Sequence, residues 1–209
     1  MSKQSSIIVP EGCKRVLLHA CCAPCSSAIV EWLLAHEIEP VIYYFNPNIY
    51  PLEEYEIRKN ESKRHAESLG IQWIDDDRLA SGDASQSSYD SIHACWKEAV
   101  CGLENEPERG KRCETCFYHR LLATARKAQE LGIPYFATTL ASSRWKSLEQ
   151  INAAGQAAAI KVNGEGLKAN VSFWAQNWRK DGLQERRNAL LKEYGFYNQL
   201  YCGCEYSRH

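Results

Sequence analysis

Seven of the ten cysteines stand at spacings that carry chemistry. Cys21, Cys22 and Cys25 follow directly on a short apolar run, Cys113 and Cys116 are related as i and i+3, and Cys202 and Cys204 flank Gly203. The thiolate is the metal-binding form of cysteine, and the free N–H groups of a helix start stabilise it. On a helix, Cys113 and Cys116 share one face and can serve one ion or cluster. Gly203 lets the backbone turn and approach a centre closely. Four thiolates make a zinc site or hold one cubane cluster. Seven exceed either need and point to two centres, or to one centre with redox thiols beside it. Neighbouring side chains diverge, so Cys21 and Cys22 suit two adjacent centres better than one shared ion. Soft sulfur ligands exclude magnesium and calcium and leave zinc and iron–sulfur open. Cys13, in the N-terminal tail, and Cys95 and Cys101, expected in the core, stand outside this set.

These residues need a scaffold. Arg15 to Ala20 reads as a buried strand, and the first three cysteines lie at its C-terminal end. Ser26 to His36 reads as a helix, with Pro24 suited to its first turn. Val41 to Phe45 is a β-branched and aromatic strand, Leu52 to Leu69 a charged helix, and Ile71 to Ile74 a third strand. That β-α-β-α-β rhythm predicts a parallel sheet with right-handed crossovers. Ala80 to Ser91 reads as a surface loop, Ile92 to Leu103 as a helix, and Glu104 to Arg112 as a charged loop. Cys113 to Leu131 carries an apolar stripe and stops at Gly132 and Pro134. Tyr135 to Leu140 is a fourth strand. Ser147 and Gln150 form a capping box for a helix through about Ile160, followed by a loop from Lys161 to Asn170. Lys180 to Tyr194 reads as a helix. The expected fold is α/β, a parallel sheet flanked by helices in one domain, with a cysteine-rich metal site at the C-terminal end of the sheet, where ligands of open α/β sheets bind.

Composition agrees with a folded, water-soluble chain of 209 residues, 44 % hydrophobic and 24 % charged. No run of about 18 apolar residues predicts a membrane span, and the first ten residues lack the apolar stretch of a secretory leader. A cytoplasmic address follows as an expectation, and in a reducing compartment ten cysteines are not read as disulfides. The formal net charge of −1 conceals an asymmetry. Residues 1–110 carry 10 basic and 18 acidic side chains, and residues 111–209 carry 15 and 8. A basic half points to a polyanionic partner.

Six blocks, in order, resemble the cobalamin-independent epoxyqueuosine reductase family. They are His19 to Cys25; Phe45 to Ile49 with Glu54, Tyr55 and Arg58; Glu106 to Gly110 with Arg112, Cys113, Cys116 and Phe117; Arg120 and Leu121; Thr138 to Leu140 with Ser143 and Lys146; and Tyr201 to Ser207. Two departures stand out: Cys25 occupies a position where some members carry aspartate, and residues 177–180 lack the family's acidic residue. The resemblance implies a HUP-like fold, akin to adenine nucleotide alpha hydrolases. It implies reduction of the epoxide of epoxyqueuosine at the wobble position of tRNAs with GUN anticodons, the last step of queuosine biosynthesis. It further implies a [4Fe–4S] cluster with a nearby iron and an external electron donor. On that reading Cys21, Cys113, Cys116 and Cys202 are assigned to the cluster, and Cys22, Cys25 and Cys204 to the second iron.

Other residues fit around such a site. His19 is a candidate to orient a ligand or donate a proton, and Glu106 and Glu108 to deliver protons. Arg144, Lys146, Arg179 and Lys180 are candidate phosphate contacts, with Arg186 and Arg187 behind them. Tyr197, Tyr201 or Trp178 could stack on an unstacked base. Three rival functions remain: an ATP-dependent tRNA thiolase, a zinc-stapled RNA-binding module without redox catalysis, and a thiol–disulfide oxidoreductase on Cys113 and Cys116. The first lacks its phosphate loop, because no glycine stands between His19 and Cys25.

Overall fold

The computed structural model describes residues 7–76, 88–166 and 169–207. Five strands form one parallel sheet: β1 (Arg15–His19), β2 (Glu39–Tyr44), β3 (Trp73–Asp75), β4 (Tyr135–Thr138) and β5 (Ser172–Phe173), in the order β3-β2-β1-β4-β5. The helices are α1 (Ala23–Ala35), α2 (Leu52–Ser68), α3 (Ser88–Ala99), α4 (Lys111–Glu130), α5 (Leu148–Gly164) and α6 (Leu183–Glu193). β1 is central, and Val16, Leu17 and Leu18 are fully buried, as a strand covered on both faces requires.

The crossovers explain the layers. β1-α1-β2-α2-β3 steps toward one edge, and the chain then returns across the sheet to β4 and β5. Right-handed connections in opposite directions put their helices on opposite faces. Accordingly α1 packs with α2 and α6, and α4 packs with α5. The direction reverses between β1 and β4, so the crevice beyond their C-terminal ends is the topological switch point.

Most predicted elements stand within a few residues of expectation, and four differ. α1 begins at Ala23 because Pro24 is accommodated in its first turn. α5 continues to Gly164, past the expected stop near Ile160, and buries Val162 against the core. β5 is a strand that the sequence reading leaves unassigned. Of the predicted loop Ala80–Ser91, residues 80–87 lie outside the described residues, and α3 already begins at Ser88. No helix among the described residues is long and apolar enough to cross a membrane.

Candidate metal centre

Two chain segments leave the switch point. After β1, Ala20 and Cys21 lead into Cys22, which caps α1 in extended conformation. After β4, a 3-10 turn (Thr139–Ser142) leads along the same edge to Lys146. The two are stitched together. The Cys21 N–H donates to Thr139 Oγ1 (3.1 Å), and the Thr139 hydroxyl donates to Cys21 Sγ (3.4 Å). Below them, His19 and Thr138 are register partners on β1 and β4. Over the crevice lie the N-terminus of α4, capped by Gly110, and the C-terminal residues 198–204.

The result is a cavity of about 850 Å³ whose walls include Cys21, Cys25, Cys113, Cys116, Cys202 and Cys204. Cys22 lies just behind, with its sulfur and those of Cys21 and Cys25 all within 4.8 Å of one another. All seven cysteines singled out by spacing therefore converge. Cys21 and Cys22 Sγ are 3.8 Å apart. Thiolates bound to one tetrahedral ion at about 2.3 Å stand about 3.8 Å apart. The expected divergence of these neighbours is thus corrected: the extended backbone at Cys22 brings both sulfurs to one side. They are close enough to share an ion or to hold two adjacent centres. The donor set fits thiophilic metal. The three remaining cysteines are elsewhere, with Cys13 buried in the core. Cys95 and Cys101 are exposed, against the expectation of burial.

The electrostatics single out one thiol in two of the three groups. Hydrogen bonds from Cys22 and Cys25, helped by the charge of Lys146, hold Cys21 well below the usual thiol range. Its hydrogen bond with Cys204, again with Lys146, does the same for Cys202. Burial pushes Cys22, Cys113 and Cys116 up. Cys25 is pushed to about 11, first by its hydrogen bond with Cys21, and Cys204 is raised first by its bond with Cys202. Backbone donors also point at sulfur: the Arg109 N–H at Cys113 (3.3 Å) and the Cys204 N–H at Cys202 (3.4 Å). Such donors favour thiolate and tune a bound cluster.

The C-terminal loop is built to hold its cysteines in place. Gly203 has φ +101°, and a Cβ there would lie 2.8 Å from Ile49 Cγ1. Arg58, buried and paired with Glu54, donates to the carbonyls of Tyr201 and Cys202, both at 3.2 Å. Gln199 was not anticipated: its amide donates to Cys22 Sγ at 2.9 Å. A lone glutamine in a polar tail carries no local signal of such a role.

The remaining expected residues divide. Glu108, Arg144 and Lys146 line the cavity. His19, Glu106, Arg179 and Lys180 do not. His19 is fully buried; its Nε2–H donates to the Phe45 carbonyl (3.1 Å), and its Nδ1 accepts a hydrogen bond from the Thr138 hydroxyl (2.8 Å). Thr138 Oγ1 is free to donate because it accepts from the Leu140 N–H. The Glu106 carboxylate accepts from the Lys111 N–H (3.1 Å) at the start of α4. Arg179 donates to the Lys146 carbonyl (2.8 Å), and Lys180 is exposed. Trp178, expected as a stacking candidate, is corrected: it is buried, packed against Trp174 and Trp32.

A protein-family model described as epoxyqueuosine reductase QueH matches residues 16–209. The chain belongs to the epoxyqueuosine reductase QueH family. Members named epoxyqueuosine reductase QueH from Haemophilus influenzae and Histophilus somni are each 44 % identical over 199 residues, covering 95 % of this chain and 74 % of theirs. A third, from Acinetobacter baylyi, is 42 % identical, over 95 % of this chain and 83 % of its own. The matched region contains all seven of the cysteines that converge at the cavity.

Proposed function

We propose that this chain reduces epoxyqueuosine to queuosine at the wobble position of tRNAs with GUN anticodons, as the last step of queuosine biosynthesis in the cytoplasm. The convergence of seven thiols on one cavity at the switch point, in a member of this family, carries the reading. In the net reaction both C–O bonds of the epoxide break and a C=C bond forms. The oxygen leaves as water, and two electrons and two protons are taken up from an external donor and from solvent-linked acids.

A [4Fe–4S] cluster with an adjacent iron, when bound, would supply low-potential electrons and a Lewis acid for the departing oxygen. Cys21, Cys113, Cys116 and Cys202 would hold the cluster, and Cys22, Cys25 and Cys204 the second iron. Seven thiols exceed the four that one cubane takes, which supports a second centre beside it. Lys146 favours the thiolate form at both Cys21 and Cys202. Arg144 and Lys146 line the cavity, and their positive charge supports a role as phosphate contacts. Glu108, exposed at the cavity wall, is the better placed of the two glutamates to pass protons; Glu106 is occupied at the helix start. His19 holds β1 and β4 in register beneath the cysteines and acts as a positioning residue.

The test is anaerobic purification followed by iron, sulfide and zinc analysis, an absorption spectrum, and turnover on epoxyqueuosine-containing tRNA. About five irons and four sulfides per chain, the sum for one cubane and one further iron, are expected together with queuosine formation. Stoichiometric zinc with no sulfide after anaerobic reconstitution would overturn the reading.

A further inference from the structure

Residues 143–146 run along the mouth of the cavity, and their backbone is clamped. Arg109 donates through Nε to the Trp145 carbonyl (2.9 Å) and through Nη2 to the Arg144 carbonyl (3.3 Å). Arg179 holds the Lys146 carbonyl, and the Trp145 N–H donates to Ser143 Oγ (3.3 Å). Three successive carbonyls are thus tied to guanidinium groups.

The Trp145 side chain is the opposite. It lines the cavity yet is 80 % exposed. A tryptophan is the largest apolar surface a chain can offer, and leaving it in water forfeits its burial energy. A fixed backbone carrying a free indole is a stacking platform whose ordering cost is largely met in advance. Its setting selects the partner. Among the described residues lining the cavity, seven are basic and one, Glu108, is acidic. Trp145 itself sits between Arg144 and Lys146. An aromatic face interleaved with cations is the chemistry that binds unpaired nucleic-acid strands.

Resting on the reading that the substrate is an RNA loop, we propose that Trp145 stacks on an unpaired base beside the nucleotide that enters the cavity. A nucleotide drawn out of its stack leaves a neighbour with an uncovered face. The indole replaces that lost stacking, while Arg144 and Lys146 take the flanking phosphates. Trp145 is then a substrate-binding residue that selects single-stranded over paired RNA.

The experiment measures affinity for an anticodon stem-loop RNA and for a blunt duplex with the same number of phosphates. The proteins are the unaltered one, Trp145→Ala and Trp145→Phe, each across a salt series. Trp145→Ala is expected to weaken stem-loop binding roughly 5- to 150-fold, the range for loss of one base–aromatic stack. Trp145→Phe should recover most of it. Duplex affinity and the salt slope should stay unchanged, because no charge is removed. An unaltered protein that prefers duplex or binds neither RNA would overturn the RNA-loop reading itself. Normal binding by the unaltered protein with no loss in Trp145→Ala, or an equal loss on duplex, would overturn the stacking role alone.

Discussion

Arg58 on α2 reaches the carbonyl of Cys202, 144 residues away in sequence and 3.2 Å away in space. Its guanidinium is also paired with Glu54 in the same buried spot, so one side chain joins the charged helix α2 to the last two cysteines of the site. Removing one partner of a buried ion pair costs about 3–5 kcal/mol, because the other charge is left without compensation. Arg58→Ala is therefore expected to lose roughly that much stability in denaturant unfolding. It should also leave Cys202 more accessible to alkylating reagents than in the unaltered protein. Unchanged Cys202 reactivity would mean that Gly203 and Ile49 hold the loop unaided.

Lys146 acts on Cys21 and Cys202 together, and its charge is one of the causes that lower both thiols. Lys146→Met removes that charge with little change in bulk. In metal-free, reduced protein, the pH at which each of the two thiols becomes reactive should rise. One unit of pKa corresponds to about a tenfold change in thiolate fraction. Mass spectrometry of alkylation against pH gives each cysteine its own curve. Curves for Cys21 and Cys202 that do not move would assign their acidity to the neighbouring thiols alone.

Much of the scaffold was legible from residue patterns. Val16 to Leu18 and Val41 to Tyr44 are short apolar runs, and such runs ended by turn residues read as buried parallel strands. The cysteines directly after β1 placed the site at the C-terminal end of the sheet. β5 was not legible, because two residues, Ser172 and Phe173, pair with Tyr135 and Phe136, too few to show alternation. Cys95 and Cys101 misled because cysteine is usually buried, whereas α3 and the residue after it turn Trp96 and Val100, not the two cysteines, into the cluster with Cys116 and Cys204. Gln199, Trp145 and the clamp from Arg109 owe their roles to contacts over long sequence separations. No local pattern encodes those.

The seven cavity cysteines and the two exposed ones make a controlled comparison. On the proposed two-centre reading, alanine at Cys113, which lines the cavity at the start of α4, is expected to lower bound iron and sulfide per chain and bleach the absorption of such a cluster. Alanine at Cys95 or Cys101 should leave metal content unchanged and shift stability by no more than about 0.5 kcal/mol, as exposed positions do. Iron analysis of the reconstituted variants decides. Full iron in Cys113→Ala would remove that residue from the ligand set.

His19 predicts how the fold responds to acid. Burial first, and then the charge of Arg120, push its pKa down to about 3, against an unfolded value near 6.5. Its neutral tautomer is fixed by donation to the Phe45 carbonyl and acceptance from Thr138. Above pH 6.5 the ring is neutral in both states and stability is independent of its titration. Between about 6.5 and 3 the unfolded chain takes up a proton that the folded chain does not. Stability then falls as the pH falls, by about 1.4 kcal/mol per pH unit at full effect. His65 and His119, also lowered by burial, add to the same slope, so the single group is isolated by difference. His19→Gln offers an amide to both partners and has no proton to gain. Its unfolding free energy, measured from pH 7 to pH 4.5, should decline less steeply than that of the unaltered protein. Parallel curves would mean that His19 accepts its proton in the folded state, and that the link between β1 and β4 survives a charged ring.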